Sequence, residues 1–187
     1  MEFKLVKIGN QIWMADNLDV DTYRNGDPIP EVTDTDEWDR LTTGAWCYYN
    51  NDPENGKLYG KLYNWYALVD PRGLAPEGFR IAGDDDWKLL LQTVGGHLNA
   101  GAILKSTELW KAPNEGATNE AGFNAKPGGL CDDDCSFMDR GSIGYWWTPA
   151  EEGKKLAWSY IMEYDNAHVN RSYYEKKDGL SVRCLKA

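Results

Sequence analysis

The sequence predicts one α+β domain spanning residues 1–187: a small twisted antiparallel sheet, one or two helices and long loops. Three observations predict it. Asp84 to Val94 carries a single helical apolar stripe, and short aromatic runs near Gly44, Gly144, Ala157 and Leu180 have strand character. Between them lie stretches rich in Gly, Asn and Pro with no periodicity, above all Lys105 to Asp139. At 187 residues the chain is long enough for a real core.

Taken in order, Lys7 to Leu18 alternates weakly and reads as an opening strand with Ile8, Ile12 and Trp13 as apolar positions. Asp19 to Trp38, rich in Asp and Thr and broken by Pro28 and Pro30, reads as a surface loop. Gly44 to Tyr49 is an aromatic strand, and Asn50 to Gly56 a turn by composition. Leu58 to Val69 fits a helical face slightly better than a strand, although Gly60 costs a helix about 1 kcal/mol. The clearest helix starts at Asp84-Asp85-Asp86, which supply an N-cap and negative charge at the positive end of the dipole. Trp87, Leu90, Leu91 and Val94 then recur at i, i+3, i+4 and i+7, and Gly95-Gly96 ends the helix. A short helix is expected at Ala100 to Leu104. Strands return at Gly144 to Trp147, Ala157 to Tyr164 and Leu180 to Leu185.

Nine Trp and eleven Tyr against four Phe is an unusual balance. These rings join apolar area to a polar handle, which suits half-wet cores and binding surfaces, and most of them must still be core. A formal charge of −10 repels polyanions, so neither nucleic acid nor an anionic membrane is an expected partner. No apolar run approaches the ~20 residues of a membrane span. Met1 to Leu5 shows no basic segment leading into an apolar one, so export by signal peptide is not legible here. Cys131 and Cys135 flank three aspartates, which raise thiol pKa and argue against a nucleophile; a local disulfide and two idle thiols both fit. A zinc site is disfavoured because the remaining candidate ligands, Cys47, Cys184, His97 and His168, are scattered. Cys47 and Cys184 both fall in expected strands, which points to structural cysteines, as a buried pair or a disulfide. His97 and His168 have no companion motif, and no acid/base constellation is recognisable, so catalysis is not expected.

Several segments carry a resemblance. They are Gly9 to Leu18, Ala45 to Asn50, Tyr59 to Ala67, Pro76 to Arg80, Leu104 to Thr107, Thr118 to Phe123, Gly144 to Trp147 and Gly179 to Cys184. In this order the chain resembles the Fibrobacter succinogenes major paralogous domain from about residue 7 to its end. The resemblance implies a C-type lectin-like fold of the formylglycine-generating-enzyme-like branch. It also implies an adhesion or receptor-binding module whose partner is a protein or glycan on another cell or surface. An extracellular, cell-surface or phage-particle setting goes with that, and the alternatives are a structural or tip module of such an appendage without a variable site, or a calcium-dependent glycan-binding lectin. Two features depart from the family pattern: Ala82 to Trp87 at the helix start, and the Cys131–Cys135 pair.

The C-terminal surface, about 144–178, is the best candidate site. In Tyr164 to Tyr174, eight of eleven positions are Asn, Asp, Ser, His or Tyr. These residues are reached from an Asn codon by replacing its adenines, as in variable proteins of this fold diversified by retroelements. They also dominate adaptable binding surfaces, though an ordinary polar turn favours several of them as well. Strand alternation places Trp158, Tyr160 and Met162 on one side and Ser159, Ile161 and Glu163 on the other. With Trp158 and Met162 turned to the core, Ser159 and Glu163 face a partner, and Tyr160 is open to either. Trp146 and Trp147 point oppositely, with Trp147 expected outside. The ligand-binding set is therefore Trp147, Ser159, Tyr160, Glu163, Asp165, His168, Asn170, Ser172, Tyr173 and Tyr174. No cofactor is required. Calcium would need six to eight oxygens. Asp34-Thr35-Asp36-Glu37 and Asp132-Asp133-Asp134 are the acidic runs, against the plainer reading of solvated faces. The Glu-Pro-Asn or Gln-Pro-Asp of sugar-binding lectins is absent; Ala112-Pro113-Asn114 comes nearest.

Overall fold

A computed structural model describes residues 3–187; the extreme start of the chain, Met1-Glu2, lies outside the described residues. The architecture is mixed α and β, with small antiparallel sheets and few helices. The opening strand of the sequence reading is two strands, β1 (Leu5–Ile8) and β2 (Gln11–Met14). Gly9, at φ +58°, supplies the left-handed turn that folds one back on the other. The loop that follows contains a short helix, α1 (Thr35–Asp39), because the Asp34 carboxylate accepts the Glu37 amide at its first turn.

Next come β3 (Trp46–Cys47), α2 (Pro53–Tyr59), β4 (Leu62–Tyr63) and α3 (Trp65–Leu68). The single helix suggested for Leu58 to Val69 does not form. Helix α2 starts earlier, at Pro53 with Asp52 capping, and stops at Gly60, whose φ of +77° ends the run. Then follow β5 (Phe79–Ile81), α4 (Asp84–Thr93) and α5 (Ala100–Leu104). The cap of α4 is Gly83, one residue before the aspartates, and the Asp86 carboxylate accepts the Gly83 amide at 2.9 Å.

The chain closes through β6 (Leu130–Cys131), β7 (Phe137–Met138), β8 (Ile143–Glu151), β9 (Leu156–Glu163), β10 (Val169–Glu175) and β11 (Cys184–Lys186). A four-stranded sheet runs β1-β2-β11-β5 and a three-stranded sheet runs β10-β9-β8, with β3-β4 and β6-β7 as separate pairs. A parallel bridge from Trp146 to Ser181 ties β8 to the segment that leads into β11.

Strand β8 separates two cores. On one side Trp147 and Tyr145 pack with Tyr63, Trp65, Leu180 and Val182. On the other, Trp146, Tyr160 and Met162 pack with Trp13, Trp87 and Phe123. The two tryptophans do point oppositely, but Trp147 is fully buried, which corrects its expected exposure. Both faces of the strand are covered, so alternation sorts its residues between two cores rather than between core and water. Two buried polar groups lock the halves together. Asn17 donates to Tyr59 O and Ser181 Oγ and accepts from Trp146 Nε1 and Arg183 Nη2. The Arg183 guanidinium, also fully buried, donates to Met14 O and Phe123 O at 2.8 and 2.7 Å.

All four cysteines are buried and free. Cys47 and Cys184 do not form a pair: they sit in different cores, because β3 and β11 belong to different sheets. Cys47 instead shares an apolar cluster with Cys131 and Cys135, whose thiols are in hydrogen-bond contact at 3.3 Å. Burial pushes the Cys184 thiol up to about 12, as expected of an inert structural cysteine. Among the described residues no helix is long and apolar enough to cross a membrane.

Candidate binding surface

The candidate residues lie on the β9-β10 hairpin, where β10 is an edge strand. Register decides their faces. Val169, Arg171 and Tyr173 stand opposite Met162, Tyr160 and Trp158, while Asn170, Ser172 and Tyr174 stand opposite Ile161, Ser159 and Ala157. On the first face Met162 and Val169 are core, and Tyr160 lies parallel to the Trp87 ring with centroids 4.9 Å apart. Tyr160 is therefore a packing residue, and burial raises its hydroxyl pKa to about 12.

The Trp87 ring of α4 covers Tyr160 on that face. Trp158, expected inside, is left half-buried at the end of the strand. The Arg171 guanidinium lies 3.4 Å from the centre of its ring and is itself held by the Asp84 carboxylate at the start of α4. The Tyr173 ring meets Trp158 edge-on at 5.5 Å and is 51% exposed. Trp158, Arg171 and Tyr173 thus form a platform of two rings and a cation. The sequence reading missed Trp158 and Arg171. The signal for Arg171 was its spacing of two from Tyr173, which puts both on one face.

The opposite face is split. Ser159 is fully buried, its hydroxyl directed to Ser172 O at 3.4 Å, so it cannot face a partner; the Trp147 side of β8 lies directly across from it. Tyr174 is half-buried against Tyr145, edge-on at 5.2 Å. Glu163 and Ser172 are half-buried, and Asn170 is exposed. Asp165 and His168 are exposed on the turn between the strands.

That turn is held by residues outside it. The carbonyls of Glu163 and Asn166 accept from the Lys105 ammonium at 3.0 and 2.8 Å. The Tyr164 carbonyl takes the Glu115 amide, the Ala167 carbonyl takes the Gly101 amide, and the Val169 amide donates to His97 O. Gly101 has to be glycine, since an added Cβ would lie 2.7 Å from Ala167 O. Burial lowers the Lys105 pKa to about 8. Within the turn, Asn166 donates to the Glu163 carboxylate and accepts the His168 amide. The backbone is fixed while Asp165, His168, Asn170 and Tyr173 keep their side chains in water.

The acidic runs separate as well. Asp34 to Glu37 is a helix cap and first turn. Asp132 and Asp133, in contrast, converge with Asp178, the three offering carboxylate oxygens within 4.8 Å of one another. Burial, with Asp132 and Asp133 close by, pushes the Asp178 carboxyl up to about 8.

The order of the segments fits one known family throughout. The model of the Fibrobacter succinogenes major domain matches residues 6–186. The chain belongs to that family. No curated protein and no solved structure matches it. Within this Fibrobacter succinogenes major domain, the quoted motifs turn out to be largely framework. Gly9 to Leu18 supplies the turn and second strand of the first hairpin and Asn17, Tyr59 to Ala67 supplies the wall beneath Trp147, and Gly179 to Cys184 carries Arg183. The exposed hairpin of this domain lies between those motifs.

Proposed function

We propose that this domain is a ligand-binding module of C-type lectin-like fold, in the formylglycine-generating-enzyme-like branch, rather than an enzyme. Its β9-β10 hairpin presents an adaptable surface to a protein or glycan on another cell or surface, outside the cell or on a phage particle. The pairing of the first hairpin with the last strand in one sheet, with a second sheet carrying the exposed hairpin, is compatible with that fold.

The observation that carries the proposal is the way the 163–168 turn is held. Its carbonyls are taken by Lys105, Glu115 and Gly101, and Asn166 holds the His168 amide, so the exposed side chains of the turn, Asp165 and His168, can change without moving its backbone. A surface that varies between sister sequences, as retroelement diversification of Asn codons would produce, needs that separation of frame and display. The exposed set is Asp165, His168, Asn170, Arg171 and Tyr173, with Trp158 behind it. A rigid aromatic platform beside short polar groups gives contact area at low entropic cost and adaptable hydrogen bonds around it.

The test is a screen of the purified domain against glycan and protein arrays, followed by Tyr173→Ala, Arg171→Ala and His168→Ala on any ligand found. Loss of binding with unchanged melting is the expected result. Binding that survives all three changes would remove the hairpin as the site and favour a purely structural role. Sequencing the flanking DNA separately tests diversification: a near-copy of the C-terminal segment that differs at adenines, beside a reverse transcriptase, is the expected sign.

A further inference from the structure

We propose that Asp132, Asp133 and Asp178 form a site for a hard divalent cation, with calcium the best fit. Their carboxylate oxygens lie within 4.8 Å of one another. Calcium–oxygen bonds of about 2.3–2.6 Å allow ligand oxygens up to roughly 5 Å apart across the ion, so one calcium can reach all three.

The second, independent observation is Asp178. It is only 3% exposed, and while one of its oxygens accepts the Glu175 amide at 2.9 Å, the other, Oδ1, is buried with no hydrogen-bond partner. A buried carboxylate oxygen without a donor is costly, and the two nearest carboxylates make the position worse. The adjacent lysines do not relieve it. Lys176 is directed to Glu151 at 3.4 Å and over the Trp65 ring, and Lys177 to Asp39 at 3.1 Å. A cation is the partner that this geometry lacks.

The two limbs of the site are aligned before any ion arrives. Cys131 and Gly179 exchange backbone hydrogen bonds, at 3.0 and 2.7 Å, immediately beside Asp132 and Asp178. Asp132 and Asp133 remain half-exposed, so water can complete the coordination. Asp133 also lines a cleft of about 370 Å³ with Asp39, Tyr66, Lys155, Glu175 and Lys177, which opens the site to solvent. The all-carboxylate donor set suits calcium better than zinc, whose preferred Cys and His ligands are not among the three. A bound ion would clamp the β6-β7 loop to the turn after β10, and none of its three ligands is among the proposed binding residues, so the site does not depend on the hairpin being the binding surface.

The experiment is a pair of thermal melts of the whole domain, in chelator and in calcium chloride, with calorimetric titration of calcium. Calcium at about 100 times its dissociation constant should raise the melting temperature by about 7 °C. Asp132→Asn and Asp178→Asn should abolish both the rise and the titration heat, while Asp36→Asn, in the other acidic run, should retain both. If Asp178→Asn does not fold, Asp132→Asn and Asp133→Asn carry the test. A melting temperature indifferent to calcium and chelator overturns the site, as do Asp132→Asn and Asp133→Asn variants that still bind. An equal rise with magnesium overturns the preference for calcium.

Discussion

Trp147→Ala against Tyr173→Ala separates a buried frame residue from an exposed one. Trp147 is fully buried among Tyr63, Trp65 and Leu180, and its indole N–H donates to Tyr63 O at 2.9 Å. Removing it leaves a cavity rather than an orphaned acceptor, because Tyr63 O still takes the Leu180 amide at 3.0 Å. Large-to-small core changes of this kind cost about 3–5 kcal/mol. For 187 residues, an unfolding entropy near 2.1 cal/mol/K per residue makes each kcal/mol worth about 2.5 °C. The expected fall is therefore about 8–13 °C. Tyr173, 51% exposed, should cost no more than about 0.5 kcal/mol, or roughly 1 °C. The assay is thermal denaturation followed by circular dichroism, with both variants and the parent in one buffer. A Trp147→Ala melt within about 2 °C of the parent would refute the placement of that ring in the core. A Tyr173→Ala loss as large as that expected for Trp147 would refute the reading of Tyr173 as a surface residue that the fold does not need.

Three further outcomes follow from the buried polar groups and the docked turn. Lys105 titrates near 8 in the folded chain against 10.5 when free, so the unfolded chain holds more protons between those values. The stability of the parent, from urea midpoints, should therefore rise with pH across about 8 to 10.5 relative to Lys105→Met, and a constant difference would count against the buried ammonium. Gly101→Ala drives a methyl to 2.7 Å from Ala167 O, so the turn must shift; a stability loss of about 1–3 kcal/mol is expected despite the better helix propensity of Ala, and an unchanged melt would contradict the close approach. Asn17→Ala leaves the buried Trp146 N–H and one Arg183 N–H without an acceptor and should cost on the order of 3 kcal/mol in denaturant unfolding.

Local patterns were legible wherever one face of an element meets water. The α4 stripe Trp87, Leu90, Leu91 and Val94 is buried as read, and Gly95 and Gly96 adopt the positive φ expected at its end. The polar segment after β9 is legible from its composition as a mostly exposed one, with Asp165, His168 and Asn170 in water. What strand alternation could not settle was which face meets water, since β8 has a core on each side. Trp147 and Ser159 were therefore placed outside when they are inside, and Trp158 inside when it is half outside. The expected Cys47–Cys184 pairing failed for a related reason: strand character says nothing about which sheet a strand joins.

By itself, the sequence determined the family, the mixed α and β character, the main helix and the polar hairpin that is the candidate surface. Those properties reside in short spacings and residue types that the chain carries wherever it folds. Only the tertiary structure decided that Arg171 lies on Trp158, that Lys105 and Gly101 hold the turn from 58 to 66 residues away, and that Asp178 meets Asp132 and Asp133. Each of these depends on register and sheet order, which arise from contacts between distant segments and have no local signature.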